Sequence, residues 1–165
     1  IQLGLEALIT SYGKFECPAD SAKSCERMAA AFVYYLDEYR FGEDTATPVR
    51  FPSGRHGIEF SFAEPLTIAH PVTNDPLLFC GRFDMVVDFA GGVFGLDDKT
   101  TGSLGAHWCD QWSMRSQFTA YTWGARRSNI DMQGFLVRGC GILKTKFDTQ
   151  QAVTYRPQWM IDRWE

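Results

Sequence analysis

The sequence predicts an α/β domain, a mixed central β-sheet flanked by helices, with elements in the order helix, three strands, helix, strand. Three observations carry this expectation. Apolar residues recur at helical spacing through residues 21–40. Two-residue alternation and a glycine hairpin follow between residues 57 and 99. An aromatic-rich stretch free of proline, 108–127, then separates those strands from the apolar run 134–146.

In "SAKSCERMAAAFVYYLDEYR" (21–40), Cys25, Met28, Phe32, Leu36 and Tyr39 share one helical face, and Asp20 or Ser21 is the expected cap. "GEDTATPVRFPSGRH" breaks with Gly and Pro and reads as a loop. In "HGIEFSFAEPL", Ile58, Phe60 and Phe62 alternate with Glu59 and Ser61, a strand pattern. "HPVTNDP" is turn-rich. Residues 79–89 and 93–99 read as two strands about Ala90-Gly91-Gly92. "WCDQWSMRSQFTAYTWGARR" (108–127) reads as one helix. "GFLVRGCGILKTK" (134–146) and "AVTYR" read as strands, and Pro157 opens a short last helix.

The chain has 165 residues, 45% of them apolar, with 13 Phe, 5 Trp and 6 Tyr, which suits one domain over 1–165 with a proper core. It opens on Ile1 rather than Met, so it reads as a domain cut from a longer chain. A net charge of -4 gives no global basic signature of a nucleic-acid coat protein, though a local basic groove is compatible with it. The 5 cysteines (Cys17, Cys25, Cys80, Cys109, Cys140) form no C-x-x-C pair and suit reduced, intracellular thiols. No apolar run approaches the roughly 20 residues of a membrane span, and no secretory leader opens the chain, so a cytoplasmic location without a membrane partner is expected.

The hairpin "GRFDMVVDFAGGVFGLDDKTTGS" (81–103) holds the sharpest signal. Strands disfavour aspartate, and half-buried charges cost desolvation unless something compensates them. With Gly91-Gly92 as the turn, Asp84 faces Lys99 and Val86 faces Asp97. Asp84, Asp97 and Lys99 then share a sheet face, the two carboxylates as diagonal neighbours. Asp98 points the other way but leaves its backbone carbonyl at the strand end. Carboxylates this close repel unless a proton or cation lies between them, and hard oxygen ligands suit Mg²⁺ or Mn²⁺. A surface hairpin with an Asp84–Lys99 cross-strand ion pair is the plainer reading.

"GRFD" gives G-x-x-D, "DDKT" gives D-x-K 13 residues later, and "QFTAY" gives Q-x-x-x-Y on the following helix. Together these resemble the PD-(D/E)XK nuclease superfamily, chiefly its RecB-type branch, which includes phage-borne exonucleases. The resemblance spans about residues 21–145 and implies a restriction-endonuclease-like αβββαβ core. It also implies that Asp84, Asp97 and the Asp98 carbonyl bind metal, that Lys99 is the catalytic lysine, and that Gln117 and Tyr121 reach the site or the DNA backbone. The upstream ligand such enzymes often add is expected at Glu59, with His56 as second choice. No helix-one histidine of the kind some members carry is present, Glu26 being nearest. Only Cys140 follows the second helix, so the iron–sulfur cluster of members linked to CRISPR adaptation is not carried over.

Arg126, Arg127, Arg138, Lys144 and Lys146 are candidates for DNA phosphate contacts, each with a solvated face as the plainer reading. Trp108, Trp112 and Trp123 are either base-stacking or core residues. The leading expectation is a Mg²⁺- or Mn²⁺-dependent deoxyribonuclease, and the resemblance implies an exonuclease of recombination or repair. Its partners would be DNA and either a recombination protein or further copies of the chain. If the enzyme is phage-encoded, it would act in the host cytoplasm. The alternative is a catalytically idle nuclease fold serving as a DNA-binding or interaction module. "DDKTTGS" also echoes the D-K-T-G-T motif of haloacid-dehalogenase-type ATPases, but an extra Thr interrupts it and "GRFD" is left unexplained.

Overall fold

A computed structural model describes residues 2–14, 17, 21, 23–40 and 42–164. Its elements in order are α1 (Gln2–Tyr12), α2 (Cys25–Glu38), β1 (Thr47–Pro48), β2 (Ile58–Ala69), β3 (Pro76–Phe89) and β4 (Gly92–Thr101). A 3-10 turn (Asp110–Trp112), α3 (Ser116–Arg127), β5 (Met132–Ile142), β6 (Phe147–Tyr155) and α4 (Gln158–Asp162) complete them. The sheet is mixed, ordered β1-β3-β4-β5-β6 with β2 also on β3, and helices flank it, as expected of an α/β fold. β1–β3, β2–β3 and β3–β4 are antiparallel. β4 reaches its neighbour β5 only through α3, the kind of crossover that parallel neighbours require.

Two compact units emerge. The larger comprises Thr45–Asp97, Asp110–Val137 and Ala152–Glu165, and the smaller Ile1–Asp44, Asp98–Cys109 and Arg138–Gln151. In the larger unit, Val87, Phe94, Leu96 and Leu136 form a buried cluster with Ala46. Beside it, aromatic rings tie α3 to the sheet. Phe118 stacks on Phe135 with centroids 4.4 Å apart, and Tyr121 meets Phe62 and Phe83 edge-on at 5.7 and 5.3 Å. In the smaller unit, Ala31, Cys140 and Ile142 are buried, with Met28, Tyr35 and Phe147 against them.

Several boundaries move from the expected ones. The helix read over 21–40 starts at Cys25, where the Ser24 hydroxyl accepts from the Arg27 N–H at 3.4 Å. Ser21 instead accepts from Lys23 N, and Asp20 lies outside the described residues. The helix read over 108–127 is broken, because Arg115 is extended (ψ 111°) between the 3-10 turn and α3. The buried Arg156 guanidinium sits at the break, its Nη2 donating to the carbonyls of Trp112 (2.9 Å) and Arg115 (3.3 Å). The hairpin turn also differs. Phe89 pairs with Gly92, so the central residues are Ala90 and Gly91, with φ of 48° and 80°, the signature of a type I′ turn. Gly92 serves close packing instead, because a Cβ there would lie 2.6 Å from Gln133 Oε1.

Candidate active site

The observed turn shifts the register by two residues and so preserves side-chain parity. Met85 pairs with Leu96 and Val86 with Gly95. Asp84 and Asp97 are the residues that follow the last pair of this ladder on their two strands, and the register no longer aligns Asp84 with Lys99 or Val86 with Asp97. Lys99, two residues past Asp97 on β4, falls on the same side of that strand by the pleat, but it is not the residue directly across from Asp84. Asp97 is buried (9% exposed) while Asp84 is exposed.

The next strand brings a third carboxylate to this level. β2 pairs Ile58 with Met85 and Phe60 with Phe83, leaving Glu59 at the height of Asp84. Glu59 has a positive φ of 52°, and its Oε2 takes Arg82 Nε at 2.9 Å. Its carboxylate is thus engaged by an arginine. His56 lies before β2 in an isolated bridge with Arg50. Among the described residues, no group of three or more His, Cys, Asp or Glu side chains converges closely enough to hold a metal ion. Two carboxylates nonetheless fit the needs of Mg²⁺, which binds through one or two and completes its shell with water and phosphate oxygens.

Asp98 turns toward α2, where its Oδ1 accepts from the Tyr35 hydroxyl at 2.5 Å. Burial first, and then the Asp98 carboxylate, hold the Tyr35 phenol well above its ordinary pKa. Gln117 is exposed in the first turn of α3. Tyr121 lies one turn on, with its ring within the aromatic cluster of Phe62, Phe79 and Phe83.

Most of the candidate phosphate contacts have structural work. Arg126 donates to the carbonyls of Met132 and Arg156, both at 3.0 Å, and to Gln158 at 2.8 Å. Arg138 is buried in a bidentate pair with Asp44, so it does not line a groove. Lys146 pairs with Asp148 at 2.7 Å. Arg127, over the Trp123 ring at 5.8 Å, and Lys144 are exposed. Trp108, Trp112 and Trp123 are all core residues, 6%, 6% and 2% exposed, which removes base stacking.

Sequence reasoning missed α1 and the Tyr35–Asp98 and Arg138–Asp44 pairs. Each pair joins residues more than 60 positions apart, 63 in the first case and 94 in the second, and no local pattern encodes such a contact.

No family model matches the chain, and no curated protein matches it. A solved structure described as "Crystal structure of SSO0001" is similar to it at a TM-score of 0.41 and 10% identity, covering 99% of this chain and 82% of that one. A likeness at that level carries nothing about function. No helix among the described residues is long and apolar enough to cross a membrane.

Proposed function

We propose that the chain is a divalent-metal-dependent deoxyribonuclease of the PD-(D/E)XK type, an exonuclease of recombination or repair of the kind phages carry, acting in the cytoplasm. What supports this reading is the β3–β4 ladder, whose last pair, Met85–Leu96, is followed on the two strands by Asp84 and Asp97, with Lys99 two residues further along β4. Asp84 and Asp97 would hold Mg²⁺ or Mn²⁺ with the Asp98 carbonyl. A bound metal of this kind supplies Lewis-acid polarisation of a phosphoryl oxygen and a water made acidic enough to attack. Lys99 would orient the attacking water and balance the charge that develops on phosphorus. Of the residues named as candidates for DNA contact, Gln117, Arg127 and Lys144 are each exposed.

One observation favours the second reading, an idle nuclease-fold module that binds DNA or a partner protein. The Glu59 carboxylate is committed to Arg82 rather than turned to a shared metal. The two readings separate on end-labelled single- and double-stranded DNA incubated with Mg²⁺, Mn²⁺ or EDTA, beside Asp97→Ala and Lys99→Ala. Metal-dependent degradation lost in both variants establishes the nuclease, and the product ladder gives its polarity. A folded wild type that neither cleaves nor binds either metal leaves the idle module.

A further inference from the structure

Within the larger unit, a pocket of ≈ 250 Å³ opens between the loop 51–56 and the start of β2, and the nuclease reading leaves it unused. Phe51, Ser53, Arg55, Ile58 and Phe60 are among its walls, and no Asp or Glu is. We propose that it takes one unpaired nucleotide of the substrate strand, with the base against Phe51 and Phe60 and the phosphate on Arg55. The ligand class rests on the nuclease reading above.

The local backbone sets the geometry. Val49 N–H donates to the Val86 carbonyl at 2.9 Å, Gly57 N–H to that of Val49 at 2.8 Å, and Val86 N–H to that of Gly57 at 2.6 Å. Both ends of the loop are thereby tied to β3. Beyond these bonds Arg50 pairs with His56, and Phe51 N–H donates to the Arg55 carbonyl at 2.9 Å. Directly opposed residues of an antiparallel pair leave on one face, and their neighbours on the other. Phe51 and Arg55 therefore share a face, opposite to that of Arg50 and His56. The Arg55 side chain starts on the side of the Phe51 ring, which lies 5.2 Å from the Phe60 ring. Both rings are half-buried, held in place yet reachable.

The chemistry is two-sided. Among the described residues the Arg55 guanidinium meets no carboxylate, whereas Arg40, Arg82 and Arg138 each pair with one. Glu59, between Ile58 and Phe60 in sequence, is already engaged by Arg82. An arginine with open donors beside aromatic faces matches an anion joined to a flat ring, which is the form of a nucleotide. Sites for whole small molecules run to roughly 300–1,000 Å³, and a pocket just below that range suits one ring system but not a base pair. Ile58 pairs with Met85, the residue beside Asp84, so the pocket borders the strand that carries a proposed metal ligand. A base within a duplex must unpair and unstack before it can enter, so a single strand or a frayed end is preferred.

The test is a binding measurement in EDTA, independent of cleavage, with an end-labelled single-stranded oligothymidylate read by anisotropy. Phe51→Leu keeps the apolar bulk but removes the ring, and should weaken binding by roughly 5-fold or more. Arg55→Gln, at an exposed position, should weaken it too, and should flatten the fall of log K with log salt by about 0.7, the loss of one phosphate contact on a single strand. Arg163→Gln removes another exposed arginine and should change neither quantity. On a strand of abasic nucleotides, wild type and Phe51→Leu should bind equally. Strand binding that neither Phe51→Leu nor Arg55→Gln weakens overturns the inference and leaves the nuclease reading standing. Equal losses in Arg55→Gln and Arg163→Gln would reveal diffuse charge attraction and overturn it as well. A strand that is not bound at all overturns it too. Losses as expected in a chain that never cleaves with Mg²⁺ or Mn²⁺ support the pocket's role and overturn the nuclease reading.

Discussion

The Tyr35 hydroxyl donates to Asp98 Oδ1 at 2.5 Å, joining α2 to β4 at the residue before Lys99. A hydrogen bond to a charged acceptor is worth more than a neutral one, so Tyr35→Phe should cost about 1–2 kcal/mol by urea unfolding at neutral pH. The pair also sets a pH dependence. Burial, then Asp98, raise the folded-state pKa of Tyr35, while Arg138 acts in the opposite sense. Below about pH 10 folded and unfolded chains are both protonated at this phenol, and its contribution is intact. Above that pH the unfolded chain gives up the proton and the folded chain keeps it, so stability falls by up to about 1.4 kcal/mol per pH unit. Tyr39 is raised too, by burial first, and remains in both proteins. The loss between about pH 10 and pH 11 should therefore be shallower in Tyr35→Phe than in wild type. Equal slopes would count against the arrangement.

Arg138 and Asp44 make the second prediction. The guanidinium is bidentate on Asp44 (2.8 and 2.5 Å), donates to Gln151 at 3.2 Å, and lies 3.9 Å from the Tyr39 ring centre. Its side chain is 4% exposed and that of Asp44 17%. Asp44→Ala would strand a buried cation and should cost about 3–5 kcal/mol. Replacing both, as Arg138→Met with Asp44→Leu, should recover most of that loss, because two apolar groups need no partner. A double variant as unstable as Asp44→Ala would show that the pair is needed for more than neutralisation.

How much of this was legible depends on the range of the signal. Alternation in Ile58, Phe60 and Phe62 and the glycine hairpin located the strands, because a pleat has period two whatever surrounds it. The shared side of Asp97 and Lys99 followed from the same rule. The turn lies one residue earlier than expected, because "AGG" offers two pairings of the same parity and the alternation of the strands does not choose between them. The stretch 108–127 reads as one helix because nothing local marks the extended Arg115, and the Arg156 guanidinium that meets the break lies 44 residues from Trp112. Arg126 and Arg138 resemble phosphate contacts for the same reason, their acceptors lying on distant segments, whereas Lys146 pairs with Asp148 only two residues on.

Close approach of α3 to the sheet gives a prediction about packing. A Cβ on Gly124 would fall 2.6 Å from Phe62 Cζ, a ring that is itself 6% exposed and wedged against Phe83 and Tyr121. Gly124→Ala should therefore destabilise the fold by about 1–3 kcal/mol, although alanine is the better helix former. Phe62→Leu should partly relieve that cost, so the two changes should be less than additive in thermal unfolding. Full additivity would mean that the helix had moved away as a body.

The hairpin turn connects stability to the proposed chemistry. Ala90 holds a φ of 48°, where an L side chain costs roughly 1–2 kcal/mol and glycine almost nothing. Greater freedom in the unfolded chain offsets part of the gain, so Ala90→Gly should stabilise by about 0.5–1 kcal/mol and leave any nuclease activity unchanged. Inserting one glycine after Gly91 is the opposite experiment. If β4 keeps its apolar face inward, the extra residue is absorbed in a three-residue loop and Asp97 keeps its side of β4. If the two-residue turn is kept instead, β4 slips by one and Asp97 and Lys99 change sides, with Leu96 turned away from its cluster. Burial of Val87, Phe94, Leu96 and Leu136 outweighs the preference of a turn, at about 25 cal/mol per Å² of apolar surface. The insertion should thus lower stability moderately while metal binding at the carboxylate pair survives. Loss of metal binding in a folded insertion variant would show that the turn, and not the core, sets the register of Asp84 and Asp97.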